Sequence, residues 1–412
     1  MFVTITALFA LAMAAIIWEH QLGFDKAKSC LFLGTAAWLL LYVAMPDKTA
    51  LHHMFEENVL EVSMLWMFLI SAMTFIAYLN ERGFIETAVS KVLPSRITEK
   101  RFLFALGTFI FFFSSVADNL TATLVGMSVL LSLPIKKEKL IPFGVGIVFA
   151  ANAGGVALIT GDVTTLMIFE AKKIEMGPTA WLFIPSFIST MLLFATLASN
   201  LKGSLVIEKT HGKLARVDGI IAAAFLSTIA AVIVGHVFFH VPPMLTFLFG
   251  LSVMFAIGWA HKKRRGEDLE LLHYVRKIEF EVLFFFLGIL FLVGALKEVG
   301  ALSYVSDVYG QMPVQYASYL IGWLSALVDN IPLTAILLKS EIPGMQQADW
   351  LALTYSVGAG GSLLVAGSAA GVVAMDKIKG LTFGAYLKYL PHLAVAYSVG
   401  YVATYATARL VT

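Results

Sequence analysis

The chain has 412 residues, of which 59% are hydrophobic and only 14% are charged, and its formal net charge is +2. Soluble domains carry about 25% charged residues, whereas a membrane span needs roughly 20 apolar residues, and this sequence has many such runs. The composition excludes an ordinary soluble protein and predicts an all-α integral membrane protein. The single cysteine, Cys30, excludes an internal disulfide and a metal site built on cysteines.

The apolar runs set the organisation of the chain. The first run, residues 2–18, has no Lys or Arg before it and no clear small-residue cleavage site, so we predict a membrane span rather than a signal peptide. The later runs are separated by charged or Pro/Gly-containing breaks and cover 29–45, 59–80, 101–134, 140–169, 178–199, 217–239, 243–261, 280–296, 312–338, 350–375 and 381–408. The runs 101–134 and 140–169 are too long for one straight span, and 312–338 is interrupted by a polar break.

Basic segments predict the topology. Segments 81–101 and 136–139 are both basic, so both are expected in the cytoplasm, and run 101–134 then enters and leaves on one side as a re-entrant hairpin. Continuing the count puts further loops inside, namely 200–216, 262–277 and 376–380, together with segment 19–28, which contains Lys26. It puts other loops outside, namely 47–58, 170–177, 239–242, 297–311 and 339–349. Most of the 29 Lys and Arg residues lie in the inside loops. The pattern predicts about ten spans, two hairpins and periplasmic termini.

An internal repeat follows from matching stretches. EVSMLWMFLISAMTF, starting at Glu61, parallels EVLFFFLGILFLVGA, starting at Glu281, and each stretch precedes an Asp-Asn hairpin and a glycine-rich span. We predict four regions: an N-terminal two-span region 1–54, a first unit 55–200, linking spans with a basic cytoplasmic loop 201–278, and a second unit 279–412. The units start on opposite sides of the membrane, and inverted repeats with broken helices are typical of secondary transporters with a site near the midplane.

Asp118-Asn119 and Asp329-Asn330 are the first candidate site residues. An ionised carboxylate in hydrocarbon costs several kcal/mol, so it pairs, binds a cation or stays protonated. At a hairpin tip, carbonyls of one arm and side chains of the next meet, which forms an oxygen cage suited to Na⁺ or Li⁺. The alternative is that these residues only cap the second arm of each hairpin.

The glycine-rich spans are predicted to be broken helices over 140–169 and 350–375. Glycines disfavour a continuous helix, and the freed carbonyls must line a cavity. The candidate ligands in the two spans are Asn152, Asp162, Thr164, Thr165, Ser362 and Ser368. The alternative is tight helix packing through small residues. Glu61, where a span starts, is a further candidate with a functional or pH-sensing role, whereas Glu281 is interpreted as an interfacial charge.

The chain resembles the NhaD-type sodium/proton antiporters, within the ion transporter superfamily, over roughly residues 55 to 400. The resemblance rests on four stretches in the same order: SSVADNLTATLVG, NAGGVALITGDVTTLMI, VDNIPLTA and GAGGSLLVAGSAAGV. It implies a homodimer with scaffold and transport parts in a bacterial inner membrane, exchanging Na⁺ or Li⁺ for H⁺ and serving sodium and pH homeostasis. It implies ion binding at Asp118, Asn119, Asn152, Asp162, Thr164, Thr165, Asp329, Asn330, Ser362 and Ser368, and at Glu61 less securely.

The expected mechanism is competition between Na⁺ and a proton for shared carboxylates, with alternating exposure of one site. No enzyme activity, resident cofactor or nucleic-acid partner is expected, and the basic loop 261–277 is interpreted as a topology determinant. One alternative is a Na⁺-coupled carrier of dicarboxylates or oxyanions, although dicarboxylate carriers of the superfamily place Ser-Asn-Thr at the hairpin tips. A remote alternative is an intramembrane aspartyl protease, which needs Gly-x-Gly-Asp, whereas Ile159-Thr160-Gly161 precede Asp162.

Overall fold

The computed structural model describes residues 1–17, 25–84, 87, 94–131, 133, 135–206, 215–278, 280–340, 342–365 and 367–412. The helices of the first half are α1 Phe2–Ile17, α2 Lys26–Ala44, α3 Lys48–Glu81, α4 Glu99–Ala117, α5 Asn119–Leu131, α6 Lys137–Gly155, α7 Val163–Glu170, α8 Met176–Ala180 and α9 Phe183–Leu197. Those of the second half are α10 Arg216–Phe239, α11 Pro243–Arg265, α12 Leu271–Arg276, α13 Phe280–Glu298, α14 Ser303–Gly310, α15 Val314–Ser325, α16 Asn330–Lys339, α17 Gln347–Gly360, α18 Ala369–Lys377, α19 Phe383–Leu387 and α20 Leu390–Val411. Two short strands, β1 Arg96–Thr98 and β2 Ser204–Val206, pair antiparallel.

The prediction of an all-α membrane protein is confirmed. Within the described residues, 7 helical segments are long and apolar enough to cross a membrane, and they are α2, α3, α4, the α8–α9 segment, α10, α11 and α13. Shorter apolar helices add α1, α5, α6 and α16. The total of about ten spans stays a prediction, because length and composition do not decide how the shorter helices cross.

The first hairpin turns at Asp118, the residue between α4 and α5. Ile110 on α4 and Gly126 on α5 lie equally far from Asp118 along the chain. They are also in contact, since a Cβ atom added at Gly126 would lie 3.0 Å from Ile110 Cδ1. The two arms of the hairpin are therefore antiparallel. Helix α6 then runs parallel to α4, since Gly146 faces Leu103 and Gly154 faces the backbone of Phe111. The two helices start at the same end of the molecule, as a re-entrant hairpin requires.

Charged contacts gather the segments predicted to be cytoplasmic at one end of the molecule. Lys139 Nζ lies 2.7 Å from Glu99 Oε2, and Arg82 Nε lies 3.1 Å from Asp218 Oδ1. At the same end, β1 pairs with β2, so that Arg96 lies opposite Val206. The first ion pair joins the starts of α4 and α6, and the second joins the end of α3 to the start of α10.

The opposite end holds the segments predicted to lie outside, together with both termini. Arg409 Nη2 near the C-terminus lies 3.6 Å from Asp349 Oδ1, and the ring of Phe2 packs 6.0 Å from that of Tyr304. Each terminus therefore contacts a segment that is predicted to lie on the same side of the membrane. Which end faces the cytoplasm stays a prediction that rests on the basic residues.

The two units make corresponding contacts. Gly154 packs on the backbone of Phe111 in the first unit, and Gly360 packs on the backbone of Gly322 in the second. Likewise, Ser114 Oγ donates to Ala151 O at 2.5 Å, and Ser325 Oγ donates to Val357 O at 2.9 Å. The hydroxyl of a hairpin tip thus holds the glycine-rich span in each unit.

The opening helices of the two units, α3 and α13, are antiparallel. Asn58 Nδ2 donates to Leu290 O at 3.3 Å, and Trp66 Nε1 donates to Leu283 O at 2.9 Å, so residue numbers rise along α3 as they fall along α13. This geometry is that of an inverted repeat.

The broken helices owe their shape to glycines that touch the hairpin tips. The first break lies between the end of α6 at Gly155 and the start of α7 at Val163. A Cβ at Gly161 within this break would lie 2.6 Å from the Cα of Ser115, and one at Gly367 in the second break would lie 2.6 Å from Ala326 O. Only a residue without a side chain allows these close approaches.

Candidate ion-binding site

Two half-helices of the first unit begin at the same cavity, which has a volume of about 300 Å³. Asp118 precedes α5, and Thr121 donates to its two carboxylate oxygens, from its N and Oγ1, each at 2.8 Å. Asp162 is the N-cap of α7 and accepts from Thr164 N at 2.9 Å. Both carboxylates and the amide of Asn119 line the cavity.

Two half-helices of the second unit begin at the same cavity. Asp329 is the N-cap of α16 and accepts from Ile331 N at 3.3 Å. Ser368 is the N-cap of α18, and its Oγ accepts from Gly371 N at 3.3 Å. Asp329, Asn330 and Ser368 line the cavity opposite the first unit's acids. The helix-capping role that the sequence leaves open is therefore observed for both Asp-Asn pairs, and it leaves the carboxylates facing the cavity.

Asp118 has a strained backbone. Its φ of 65° and ψ of 157° lie in a region that residues with a side chain rarely adopt. Such a conformation costs about 1–3 kcal/mol and persists only where the surroundings enforce it. Asp118 joins α4 and α5, which both pack on α6, and it lines the cavity.

Asp162 is 5% exposed and carries an unsatisfied oxygen. Its Oδ1 accepts from Thr164 N, whereas its buried Oδ2 has no hydrogen-bond partner among the described residues. A buried charged oxygen without a partner is unfavourable by several kcal/mol, so it requires a cation or a proton. Asp162, which lines the cavity, therefore offers an unfilled ligand position in its Oδ2 atom.

Asn152 joins the two units behind the cavity. Its Oδ1 accepts from Asn119 Nδ2 at 3.0 Å, and its Nδ2 donates to Ser362 Oγ at 2.9 Å and to Ser368 Oγ at 2.8 Å. Each amide atom of this fully buried side chain thus has a polar partner. This network fixes the orientation of Asn119 and Ser368, which line the cavity.

Asn330 is held by the backbone of the second broken helix. With its amide oriented so that Nδ2 donates, it reaches Ser325 Oγ at 2.7 Å, and Val357 O and Gly367 O at 3.2 Å each. This orientation satisfies the nitrogen. It ties the second hairpin tip to both sides of the helix break, whereas in the first unit Asn119 contacts Asn152 on one side of the break.

Comparison with known proteins agrees with this architecture. A family model described as citrate transporter matches residues 13–360. The Na(+)/H(+) antiporter NhaD of Vibrio parahaemolyticus is 31% identical over 90% of this chain and 98% of its own length, and that of Alkalimonas amylolytica is 31% identical over 95% and 87%. Sodium/proton antiporter 1 of Arabidopsis thaliana is 30% identical over 99% of this chain and 73% of its own length.

The chain belongs to the NhaD family of Na⁺/H⁺ antiporters. The family resemblance expected from the two Asp-Asn motifs and the GDVTT stretch is thereby confirmed. The citrate-transporter description covers the wider family and names no substrate of this chain.

Lys26 is a cavity residue of this NhaD-family protein that sequence reasoning missed. Its Nζ lies 3.0 Å from Asp329 Oδ2 and 4.8 Å from the centre of the Phe285 ring. Asp25 and Glu281 line the same cavity. The sequence interpretation counted Lys26 among cytoplasmic loop charges and Glu281 as an interfacial charge. A basic residue in the first turn of an apolar helix is the only sequence signal for Lys26.

Glu61 lies apart from the other predicted site residues. It lines a second cavity of about 190 Å³ together with Glu57, Asn58 and Glu170. Its Oε2 lies 2.8 Å from Lys339 Nζ.

Thr164 and Thr165 are fully buried at the start of α7, and Thr165 Oγ1 donates to Val156 O at 3.4 Å.

Helices α7 and α16 connect the two cavities. Val163 and Asn330, at their N-terminal ends, line the carboxylate cavity, while Glu170 and Lys339, at their C-terminal ends, line the Glu61 cavity. The carboxylate cavity and the Glu61 cavity therefore lie on opposite sides of the layer that contains the two half-helices.

Proposed function

We propose that the protein exports Na⁺, or Li⁺, in exchange for H⁺ as a secondary active antiporter. The observation that carries this proposal is the buried Asp162 Oδ2, which has no hydrogen-bond partner among the described residues and belongs to a residue that lines one cavity with Asp118 and Asp329. Its relatives named as Na⁺/H⁺ antiporters support the same exchange. A cavity lined by carboxylate and amide oxygens suits a hard monovalent cation.

The proposed ligands of Na⁺ are carboxylate and amide groups at the starts of the half-helices, namely Asp118, Asn119, Asp162, Asp329 and Asn330. Asn152, Thr164, Thr165, Ser362 and Ser368 act behind them, because they fix the amides and half-helix ends through the hydrogen bonds described above. Glu61, in the second cavity, is proposed to act on ions that approach from the other side of the half-helix layer.

Exchange follows from competition at the same carboxylates. A buried acid carries either a proton or a Na⁺ ion, because an uncompensated charge is unfavourable at this depth. A proton that arrives from outside displaces Na⁺, and departure of the proton inside restores the Na⁺ site. Alternating exposure of the cavity to the two sides completes the cycle.

An anion carrier is the alternative supported by a specific observation, because the N-termini of four half-helices face the cavity. Helix N-termini favour anions. In this chain, however, Asp118, Asp162 and Asp329 already occupy three of these ends, so a bound citrate would face three carboxylates. Absence of labelled citrate uptake into proteoliposomes in a Na⁺ gradient is the expected result.

Intramembrane proteolysis has no support, because the relatives are transporters.

The cellular setting is proposed as well. We propose a homodimer in a bacterial inner membrane, as the family resemblance implies. We also propose that both termini lie in the periplasm, because Lys and Arg are concentrated in the loops of the other end. Cysteine labelling of residue 412 in intact cells and crosslinking in membranes test these two points.

The function is tested in everted membrane vesicles from a host without Na⁺/H⁺ exchange. Asp118→Asn and Asp329→Asn are expected to abolish the Na⁺-dependent dissipation of the pH gradient while the protein still inserts. Asp376→Asn on α18, an acid with a 72% exposed side chain, is the matched control and is expected to retain exchange. Near-normal exchange in both site variants would refute the proposed site, and no exchange in the wild type would refute the proposed function.

A further inference from the structure

Lys26 brings a positive charge into the carboxylate cavity. Among the described residues that line this cavity, Lys26 is the sole Lys or Arg, whereas the acids are Asp25, Asp118, Asp162, Glu281 and Asp329. The side chain of Lys26 is 25% exposed and that of Asp329 is 11% exposed, so their ion pair is largely screened from solvent. An ion pair in such surroundings is much less weakened by salt and water than a surface pair.

The position of Lys26 is fixed by close helix packing. It lies in the first turn of α2, a helix outside both repeat units, and α2 packs along α13 at Gly34 and Gly288. A Cβ at either glycine would overlap the backbone of the opposite helix, so the two helices are in direct contact. The Phe285 ring of α13 lies beside the ammonium group and adds a cation–π contact. The α2–α13 pair therefore presents Lys26 to Asp329 from a rigid base.

We infer that Lys26 is the resident counter-cation of Asp329, whose ammonium occupies the position of Na⁺ in the ion-free protein and is displaced when Na⁺ binds. This inference rests on the proposed function. Asp329 Oδ2 cannot hold an ammonium at 3.0 Å and a Na⁺ ion in the same place. Lys26 therefore lowers the apparent affinity for Na⁺ and sets the Na⁺ concentration at which the site fills.

The ion pair also links occupancy to conformation. Asp329 lies at the tip of the second hairpin, whereas Lys26 lies in α2, which precedes both units, so the ion pair fastens the empty site to α2. Na⁺ binding releases this contact. Lys26 thus restrains movement of the empty site. An antiporter requires this restraint, because an empty site that changed sides would let one ion pass without exchange for the other.

The test is Na⁺ binding by the purified full chain at fixed alkaline pH, with choline replacing Na⁺ at constant ionic strength. Binding is measured with radioactive Na⁺ in a scintillation proximity assay. Lys26→Gln is expected to bind Na⁺ at least about fivefold more tightly, a typical coupling between two competing cations. Lys26→Met, which keeps the apolar stem without the charge, is expected to behave in the same way.

Two controls define the outcome. Lys28→Gln removes an exposed charge from the same helix and is expected to leave Na⁺ affinity unchanged, and Lys26→Arg, which keeps the charge, is expected to stay within about threefold of wild type. Unchanged or weaker Na⁺ binding in both Lys26→Gln and Lys26→Met would overturn the inference. A lower unfolding temperature with unchanged Na⁺ affinity would also overturn it, because Lys26 would then have only a structural role. Absence of Na⁺ binding by the wild type would instead overturn the proposed function.

Discussion

Asp118 and Asp329 lie at corresponding hairpin tips, but their surroundings differ. Asp118 has a φ of 65°, and Thr121 donates to both of its carboxylate oxygens. Asp329 has an unstrained φ of −48°, and one of its oxygens contacts Lys26. The Asp-Asn dipeptide therefore has a strained aspartate bonded to a threonine in one unit. In the other unit its aspartate is unstrained and forms an ion pair. A repeat preserves positions in the fold while the two copies acquire different chemistry.

The glycine-rich spans show the same asymmetry. The first span has Asn152 and Asp162, where the second has Gly358 and Ser368. A Cβ at Gly358 would clash with Val156 and would lie 3.2 Å from Asp162 Oδ2. The first glycine-rich span thus supplies a charge, and the second span supplies space beside it and a hydroxyl that accepts from Asn152. This division between the two spans can be tested by substitution.

Replacement of the third acid is expected to have the largest effect. Asp162→Asn is expected to lower Na⁺/H⁺ exchange by about 100-fold or more, because loss of a charged ligand in a buried site costs about 3 kcal/mol. Ser368→Ala, at the corresponding position, is expected to retain measurable exchange because it removes a helix cap and one hydrogen bond. Exchange rates in everted vesicles, normalised to protein amount, give the comparison. Equal losses in the two variants would contradict the division.

Filling the space at Gly358 is expected to have an intermediate effect. Gly358→Ala places a methyl group against Val156 and the Asp162 carboxylate and is expected to weaken Na⁺ binding about tenfold, since overpacking of this kind costs about 1–3 kcal/mol. Gly384→Ala in α19, where a Cβ meets nothing within 4 Å, is the matched control. Wild-type Na⁺ affinity in Gly358→Ala would show that the space is not needed.

Relief of strain is expected to have the smallest effect, on stability rather than transport. Asp118→Gly is expected to raise the stability of the detergent-solubilised protein by about 1 kcal/mol, because glycine adopts the observed φ and ψ without strain. Asp329→Gly relieves no strain, loses the Lys26 pair and is expected to lower stability. Thermal unfolding of both variants provides the measurement, and both are expected to lose exchange. A lower unfolding temperature in Asp118→Gly would argue against strain at this tip.

Local patterns were sufficient to predict the hairpin and the helix breaks. The basic segments on both sides of run 101–134 predict that both of its ends lie at one side, and Glu99 and Lys139 indeed meet there. Glycines predict the break between α6 and α7, since a helix end needs only a short stretch of sequence.

Contacts between distant segments could not be predicted in this way. Lys26 and Asp329 are 303 residues apart, and no local pattern reports that α2 packs along α13. Glu61 was predicted as a candidate site residue because it lies where a span starts, whereas the structure puts its side chain in the second cavity with Lys339. The strain at Asp118 depends on packing around the hairpin and leaves no mark in the sequence beyond the Asp-Asn motif.

Proton release on Na⁺ binding is the most direct test of whether Na⁺ and H⁺ share the same carboxylates. Na⁺ is added to the purified protein in weakly buffered solution that contains a pH-sensitive dye, with choline as the control cation. Wild-type protein is expected to release protons as Na⁺ binds, and Asp162→Asn is expected to lose this release. Saturating Na⁺ binding by the wild type without proton release would contradict this sharing.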